Sequence, residues 1–199
     1  EKNLDDALSV FAEALEEVPD AMFIIVGGGP ALSALQEHVS ALEIDDHVIF
    51  TGEVNHNDVY GYYKMGDVFV SASVSETQGL TFIEAMTADT PVVAIHSPYL
   101  DTIVTDENIG TLVDDSFGLL EPMVMYLKAK TTGETIGNPE TRAAVLHEID
   151  ERTFGKRVID FYAEALAAYH EEEDTEAAEA NDVEYSKTFL LRNPFRRDD

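Results

Sequence analysis

Apolar positions recur along this chain with two alternating periods. In "NLDDALSVFAEALEEV", Leu4, Leu8, Phe11 and Leu15 fall three or four residues apart, the spacing that aligns side chains on one helix face. Asn3 stands at the expected N-cap, and Asp5 and Asp6 occupy the first turn, where the helix dipole favours negative charge. "AMFIIVGGGP" is instead a short β-rich apolar run that stops at glycines and a proline, hence a strand and a tight loop. The alternation then repeats. Ala31 to Leu42 predicts a second helix and "HVIFTG" a second strand, followed by a short helix over Asn57 to Lys64 and a third strand in "DVFVSAS". Leu80 to Ala88 predicts a helix, "PVVAI" a fourth strand and "GTLV" a fifth. Phe117 to Ala129 and Phe154 to Ala168 close the pattern as helices.

Short, nearly all-apolar strands between amphipathic helices predict an α/β fold, a doubly wound parallel sheet with helices on both faces. Ligands of such sheets bind beyond the carboxyl ends of the strands. "VGGGP", "SASVSETQG" and "IHSPYL" all fall at such ends, so three loops are expected to converge on one edge. No internal repeat is present.

Composition narrows the picture. The chain has 199 residues and 45% hydrophobic content, enough for one good-sized core and an appended element. No apolar run reaches the ~18 residues of a membrane span, and no secretory leader is recognisable. The first residue is Glu and helical patterning starts at Asn3–Leu4, so the chain reads as one entered partway through a fold. Zero cysteines exclude disulfides and thiolate metal sites and fit a cytoplasmic protein. Forty acidic against twelve basic side chains give a formal charge of −28, a surface that repels nucleic acid. An anionic ligand would need a local positive patch. The acidity also fits a salt or solubility adaptation.

After about Tyr169 the composition shifts. "EEEDTEAAEAND" reads as an acidic, core-poor spacer, solvated or disordered. Behind it Lys187, Arg192, Arg196 and Arg197 alternate with Phe189, Leu190, Leu191 and Phe195, a basic-aromatic tail suited to docking on the protein or touching an anionic membrane.

The candidate chemistry centres on "SETQGLTFIEAM", Ser75 to Met86, where Glu76 and Glu84 flank an expected helix start at Gly79–Leu80. The first amides of a helix are unpaired and carry roughly half a positive charge, a seat for phosphate. Gly79 permits close approach. Glu84, one turn into the helix, can accept bonds from vicinal hydroxyls such as those of a ribose. Glu76, before the turn, can face a second hydroxyl-bearing group. Neither acid suits contact with phosphate itself. The spacing fits a sugar–diphosphate–ribose ligand.

The same stretch, with "YYKMGDVFVSAS" before it and "PVVAI" after it, resembles the donor-site signature of retaining GT-B glycosyltransferases of family 4, a Glu, seven residues and a second Glu in a "GL" context. "MFIIVGGGP" and "HVIFTGEV" follow that family's order and spacing, and the resemblance covers Glu1 to Ala168. The variant "SETQGLT", followed by "PYLDTIVTDENIGTLV", resembles the bacterial enzymes that put glucose on diacylglycerol in Gram-positive membranes. Many relatives carry a glycine pair where "HSPYLD" stands here, which places backbone phosphate contacts in that loop in question.

The resemblance implies that Glu84 binds the nucleotide ribose and Glu76 the hydroxyls of the transferred hexose, with Gly79, Leu80 and Thr81 lining the diphosphate. Lys2 matches the family's diphosphate-binding lysine, while its arginine partner and the N-terminal acceptor domain would lie upstream. It further implies residues 1–168 as a Rossmann-like nucleotide-sugar domain and 169–199 as spacer and tail. The substrate would be a nucleotide diphosphate sugar such as UDP-glucose and the acceptor a lipid, with no metal or other cofactor. The setting would be glycolipid biosynthesis at the cytoplasmic face of the plasma membrane, with peripheral membrane contact by the full-length protein.

Plainer readings stand beside these. Gly27, Gly28, Gly29 and Pro30 either turn the chain or touch the donor, and "GGGP" lacks the full G-x-G-x-x-G fingerprint of dinucleotide sites. His96 suits a satisfied loop histidine, and the other five histidines lack ligand-like spacing. Competing functions are a non-catalytic nucleotide-binding or interaction module, a sugar-nucleotide epimerase, and transfer to another glycan, a teichoic acid or a protein serine.

Overall fold

The computed structural model describes residues 2–75, 79–150, 152–153, 155–164 and 166. It divides into two compact units, Glu1–Ile149 and Asp150–Asp199. In the first, α1 (Leu4–Ala14), β1 (Phe23–Val26), α2 (Leu32–Ala41), β2 (Val48–Gly52), α3 (His56–Met65) and β3 (Phe69–Ser71) follow one another. Then come α4 (Leu80–Thr87), β4 (Val92–Ile95), α5 (Leu100–Ile103), β5 (Gly110–Val113), α6 (Leu120–Thr132) and α7 (Pro139–Ile149). In the second unit, residues 155–164 are helical. The ends of the helix expected over Phe154 to Ala168, and the whole spacer and tail, lie outside the described residues.

Every strand sits where the apolar runs predict, and every ladder is parallel. β1 pairs with β2, Phe23 opposite Val48 and Ile25 opposite Phe50. β4 lies between β3 and β5, with Val93 opposite both Val70 and Thr111. β4 carries the core on both of its faces. Its alternate residues Val93 and Ile95 join Leu8 and Phe11 of α1, Leu35 and Val39 of α2, and Met123 of α6. Val92 and Ala94 face the opposite way, into Phe82, Ala85 and Met86 of α4 and Leu100 and Ile103 of α5, with α7 residues Val145, Leu146 and Ile149 packed alongside. Because side chains alternate across a strand, a fully apolar strand demands two apolar layers. The result is a doubly wound parallel architecture with helices on both faces.

Two local expectations are corrected, and two helices go unanticipated. Asn3 holds the N-cap position of α1, but its backbone is left-handed (φ 47°) and its side chain makes no cap hydrogen bond. The helix expected from Phe117 begins as a 3-10 turn, Phe117–Leu119, and becomes α6 only at Leu120. Neither α5 nor α7 is predicted by the apolar pattern. α5 has four residues, too few to show a period. The α7 sequence has no clean apolar stripe, and its buried residue is Arg142. An opening signal is nonetheless present there: Asn138 Oδ1 accepts from the Glu140 amide at 3.0 Å, and Pro139 takes the first helical position.

Arg142 ties α7 to the second layer. Its guanidinium donates to Met86 O in the last turn of α4 and to Asn108 Oδ1, both at 3.3 Å, and also to Asn108 O. Carbonyls at a helix C-terminus carry the negative end of its dipole, so a buried cation there is well placed. Burial pulls the Arg142 pKa below the ordinary arginine value, and Asp89 pulls it back up.

The tightest approach in the sheet is at Gly110, directly opposite Val92. A Cβ at Gly110 would lie 2.2 Å from Val92 O, a backbone atom held by the ladder. Gly110→Ala is therefore expected to destabilise the fold by about 2–3 kcal/mol, the upper part of the usual overpacking range. Urea denaturation measures it, and an unchanged midpoint would contradict the packing described.

Candidate functional site

The carboxyl ends of the strands carry the residues singled out from the sequence. After β1 the chain turns at Gly27 (φ 119°), whose amide donates to Gly52 O at 3.0 Å. A Cβ at Gly28 would lie 3.3 Å from Glu53 Cγ, so the "GGGP" and "TGEV" loops abut. Gly29 O accepts from Leu32 N at 3.2 Å and leads into α2.

After β3, Ser73 is buried and its hydroxyl has no hydrogen-bond partner among the described residues. Glu76, with Thr77 and Gln78, lies outside the described residues. At Gly79 the backbone is left-handed (φ 57°), and α4 opens at Leu80, where the sequence predicts it. A Cβ on Gly79 would stand 2.9 Å from Tyr99 Cε1, so the loops after β3 and β4 meet through this glycine. Among the described residues no side chain caps α4. Gly79 O accepts from the amides of Phe82 (3.0 Å) and Ile83 (3.2 Å). The amides of Leu80 and Thr81 precede those bonds and have no intrahelical partner, which leaves the positive end of the α4 dipole at the strand edge. The side chains of Leu80 and Thr81 are both exposed.

Glu84 stands one turn into α4 and is partly buried. Its Oε2 accepts from the Tyr63 hydroxyl of α3 at 3.0 Å. Burial pushes the Tyr63 pKa well above the ordinary tyrosine value, and the hydrogen bond to Glu84 and its negative charge push it further. Tyr99 is raised by burial alone. In the loop after β4, His96 Nδ1 is 2.6 Å from Asp101 Oδ1, so this histidine has a loop partner.

Lys2 is exposed and immediately precedes α1. The C-terminal end of α1 feeds the start of β1, and α1 also touches the Phe117–Leu119 turn beyond β5. Gly79, the N-cap, thus leads into the helix that carries Leu80, Thr81 and Glu84, while Gly28 and Gly29 follow β1 of the separate β1–β2 sheet. Tyr63 and Tyr99 were not anticipated from the sequence. Their contacts cross from α3 to α4 and from one loop to another, and no local spacing encodes them. Among the described residues no group of three or more His, Cys, Asp or Glu is placed to hold a metal ion, and no helix is long and apolar enough to cross a membrane.

A helix opening whose first amides lack intrahelical partners, followed one turn later by a carboxylate, can seat an anion and accept bonds from neighbouring hydroxyls. Residues 1–117 match the family described as "Glycosyl transferases group 1". The chain belongs to the group 1 glycosyltransferases. It is 38% identical over 174 residues to the alpha-monoglucosyldiacylglycerol synthase of Streptococcus pneumoniae, covering 87% of this chain and 38% of that protein. It is 28% identical over 166 residues to the enzyme of the same name from Acholeplasma laidlawii, covering 83% of this chain and 40% of that protein. Among solved structures, the pneumococcal O-GlcNAc transferase GtfA in complex with UDP and GlcNAc aligns with a TM-score of 0.61 at 22% identity, over 84% of this chain and 33% of that one. The chain therefore spans about two fifths of the length of these curated relatives. The likeness in structure establishes that the chain folds like one part of a GT-B glycosyltransferase.

In this glycosyltransferase chain the tyrosine shifts have a consequence in alkali. Burial also raises the pKa of Tyr126 of α6, so the native state keeps the phenolic protons of Tyr63, Tyr99 and Tyr126 at pH values where the unfolded chain, with tyrosine pKa near 10, has released them. The unfolded state then binds fewer protons, so stability is full below about pH 10 and falls as pH rises through the native values. The urea midpoint should drop between pH 9 and pH 11, and Tyr63→Phe should lessen that drop. An equal drop in both proteins would contradict it.

Proposed function

We propose that this chain is the donor-binding half of a retaining hexosyltransferase that moves glucose from UDP-glucose to a diacylglycerol-type lipid. The observation that carries the reading is the opening of α4 at Gly79, with Glu84 one turn inside it. The names of the two synthases at 38% and 28% identity support the glucosyl and lipid parts, and the UDP in the GtfA complex supports the nucleotide.

In this reading Glu84 accepts from the ribose hydroxyls, Glu76 orients the hexose, and Gly28 and Gly29 let the nucleotide approach the β1 end. The amides of Leu80 and Thr81, beside Gly79, receive the diphosphate together with Lys2. Transfer breaks the bond between the anomeric carbon and the phosphate oxygen, and its electron pair stays on the diphosphate. The acceptor hydroxyl oxygen takes the carbon, and its proton passes to the departing phosphate oxygen. Charge therefore grows on the leaving group, and oriented amides with a lysine stabilise it without reorganising. The acidic surface (formal charge −28) opposes any dianion in general, which makes this local positive end the decisive element. Acceptor binding falls to the part of the enzyme that lies outside this chain, at the inner face of the plasma membrane.

Isothermal titration with UDP-glucose, UDP and GDP tests the donor site. Binding of UDP and UDP-glucose at millimolar or lower concentration is expected, with GDP weaker. Glu84→Ala should weaken UDP at least tenfold, since hydrogen bonds to a charged group contribute about 1.5–3 kcal/mol. Absence of heat at millimolar nucleotide, or an unchanged affinity in the variant, overturns the assignment.

A further inference from the structure

The Glu84 carboxylate is not left to find its own orientation. Its Oε2 is held by the Tyr63 hydroxyl at 3.0 Å, and among the described residues its Oε1 has no hydrogen-bond partner. Tyr63 is itself fixed from several sides. Its ring meets Phe69 of β3 edge-on at 5.5 Å, and Phe69 meets Phe82 of α4 edge-on at 5.4 Å. Its backbone carbonyl accepts from Thr90 Oγ1 at 2.6 Å. The chain of rings links α3, β3 and α4, so the phenol cannot swing without disturbing a packed layer.

A carboxylate that must accept from two vicinal hydroxyls works best when its rotamer is already chosen, because ordering a free glutamate side chain costs conformational entropy. We propose that Tyr63 is a positioning residue: through its bond to Oε2 it turns the Glu84 carboxylate so that Oε1 faces the vicinal diol of a bound nucleoside diphosphate. The inference rests on the assignment of Glu84 to the ribose made above. Tyr63 has a second property suited to the role. A phenol buried beside a carboxylate stays protonated, so it remains a donor and never a competing anion through the range where the enzyme works.

The test compares UDP with 2′,3′-dideoxy-UDP, which lacks the two hydroxyls and keeps the base and diphosphate. Wild type should bind UDP more tightly than the dideoxy compound, and Glu84→Ala should abolish that preference. Tyr63→Phe keeps the ring packing and removes only the hydroxyl. It should weaken UDP roughly five- to tenfold, in line with one lost hydrogen bond, and leave the dideoxy compound unchanged. Tyr63→Phe added to Glu84→Ala should have no further effect. A general loosening of the fold would weaken both ligands alike, which overturns the positioning role. So would a Tyr63→Phe variant that keeps the full preference while Glu84→Ala loses it; the ribose assignment would survive that result. If Glu84→Ala keeps the preference, or wild type shows none, the ribose assignment fails and the positioning role with it.

Discussion

Strand β4 has no face turned to water. All four of its residues are buried, and they divide by alternation between two separate apolar clusters. A strand of this kind cannot exist at the surface of an open sheet, so helices must cover both of its sides. That single requirement organises the rest. The helices cover the faces, and the loops are left to gather at the strand ends. The absence of a side chain at Gly110 lets β5 lie against Val92 closely enough to complete the layer.

The edge formed in this way is useful because α4 is held from several directions. At its start Gly79 adopts a left-handed backbone and receives the Tyr99 ring where a Cβ would stand. At its end Arg142 of α7 grips the Met86 carbonyl. Along its side α3 contributes the Tyr63 bond to Glu84 and a longer one from the Tyr60 hydroxyl to Thr87 O at 3.5 Å. A helix fixed at both ends and along one flank presents its first-turn amides in a constant direction. Preorganised dipoles stabilise charge better than groups that must first turn to meet it. In a group 1 glycosyltransferase of such acidity, that local orientation outweighs the long-range field only at close quarters, where screening is least effective.

The polypeptide by itself determined the elements whose information is local. Apolar runs specified the five strands of the described residues, because a short β-rich run bounded by glycine, proline or polar residues is a local signal, and in β4, buried at every position, the run is wholly apolar. Glycine at position 79 followed by an apolar helical run specified where α4 begins, and the two-glutamate pattern around it carried the family resemblance that the match over residues 1–117 bears out. Tertiary structure decided what depends on distant partners. Arg142 is buried only because Met86 and Asn108 supply carbonyl acceptors from other segments, so α7 hid behind a polar anchor. Asn3 looked like a cap, yet its backbone settled in the left-handed region and its side chain formed no cap bond. The hydroxyl on Glu84 comes from a tyrosine 21 residues away, and the ring against Gly79 comes from the neighbouring loop. Local spacing encodes which face of an element is apolar; it holds no record of which polar atom another element will bring to it.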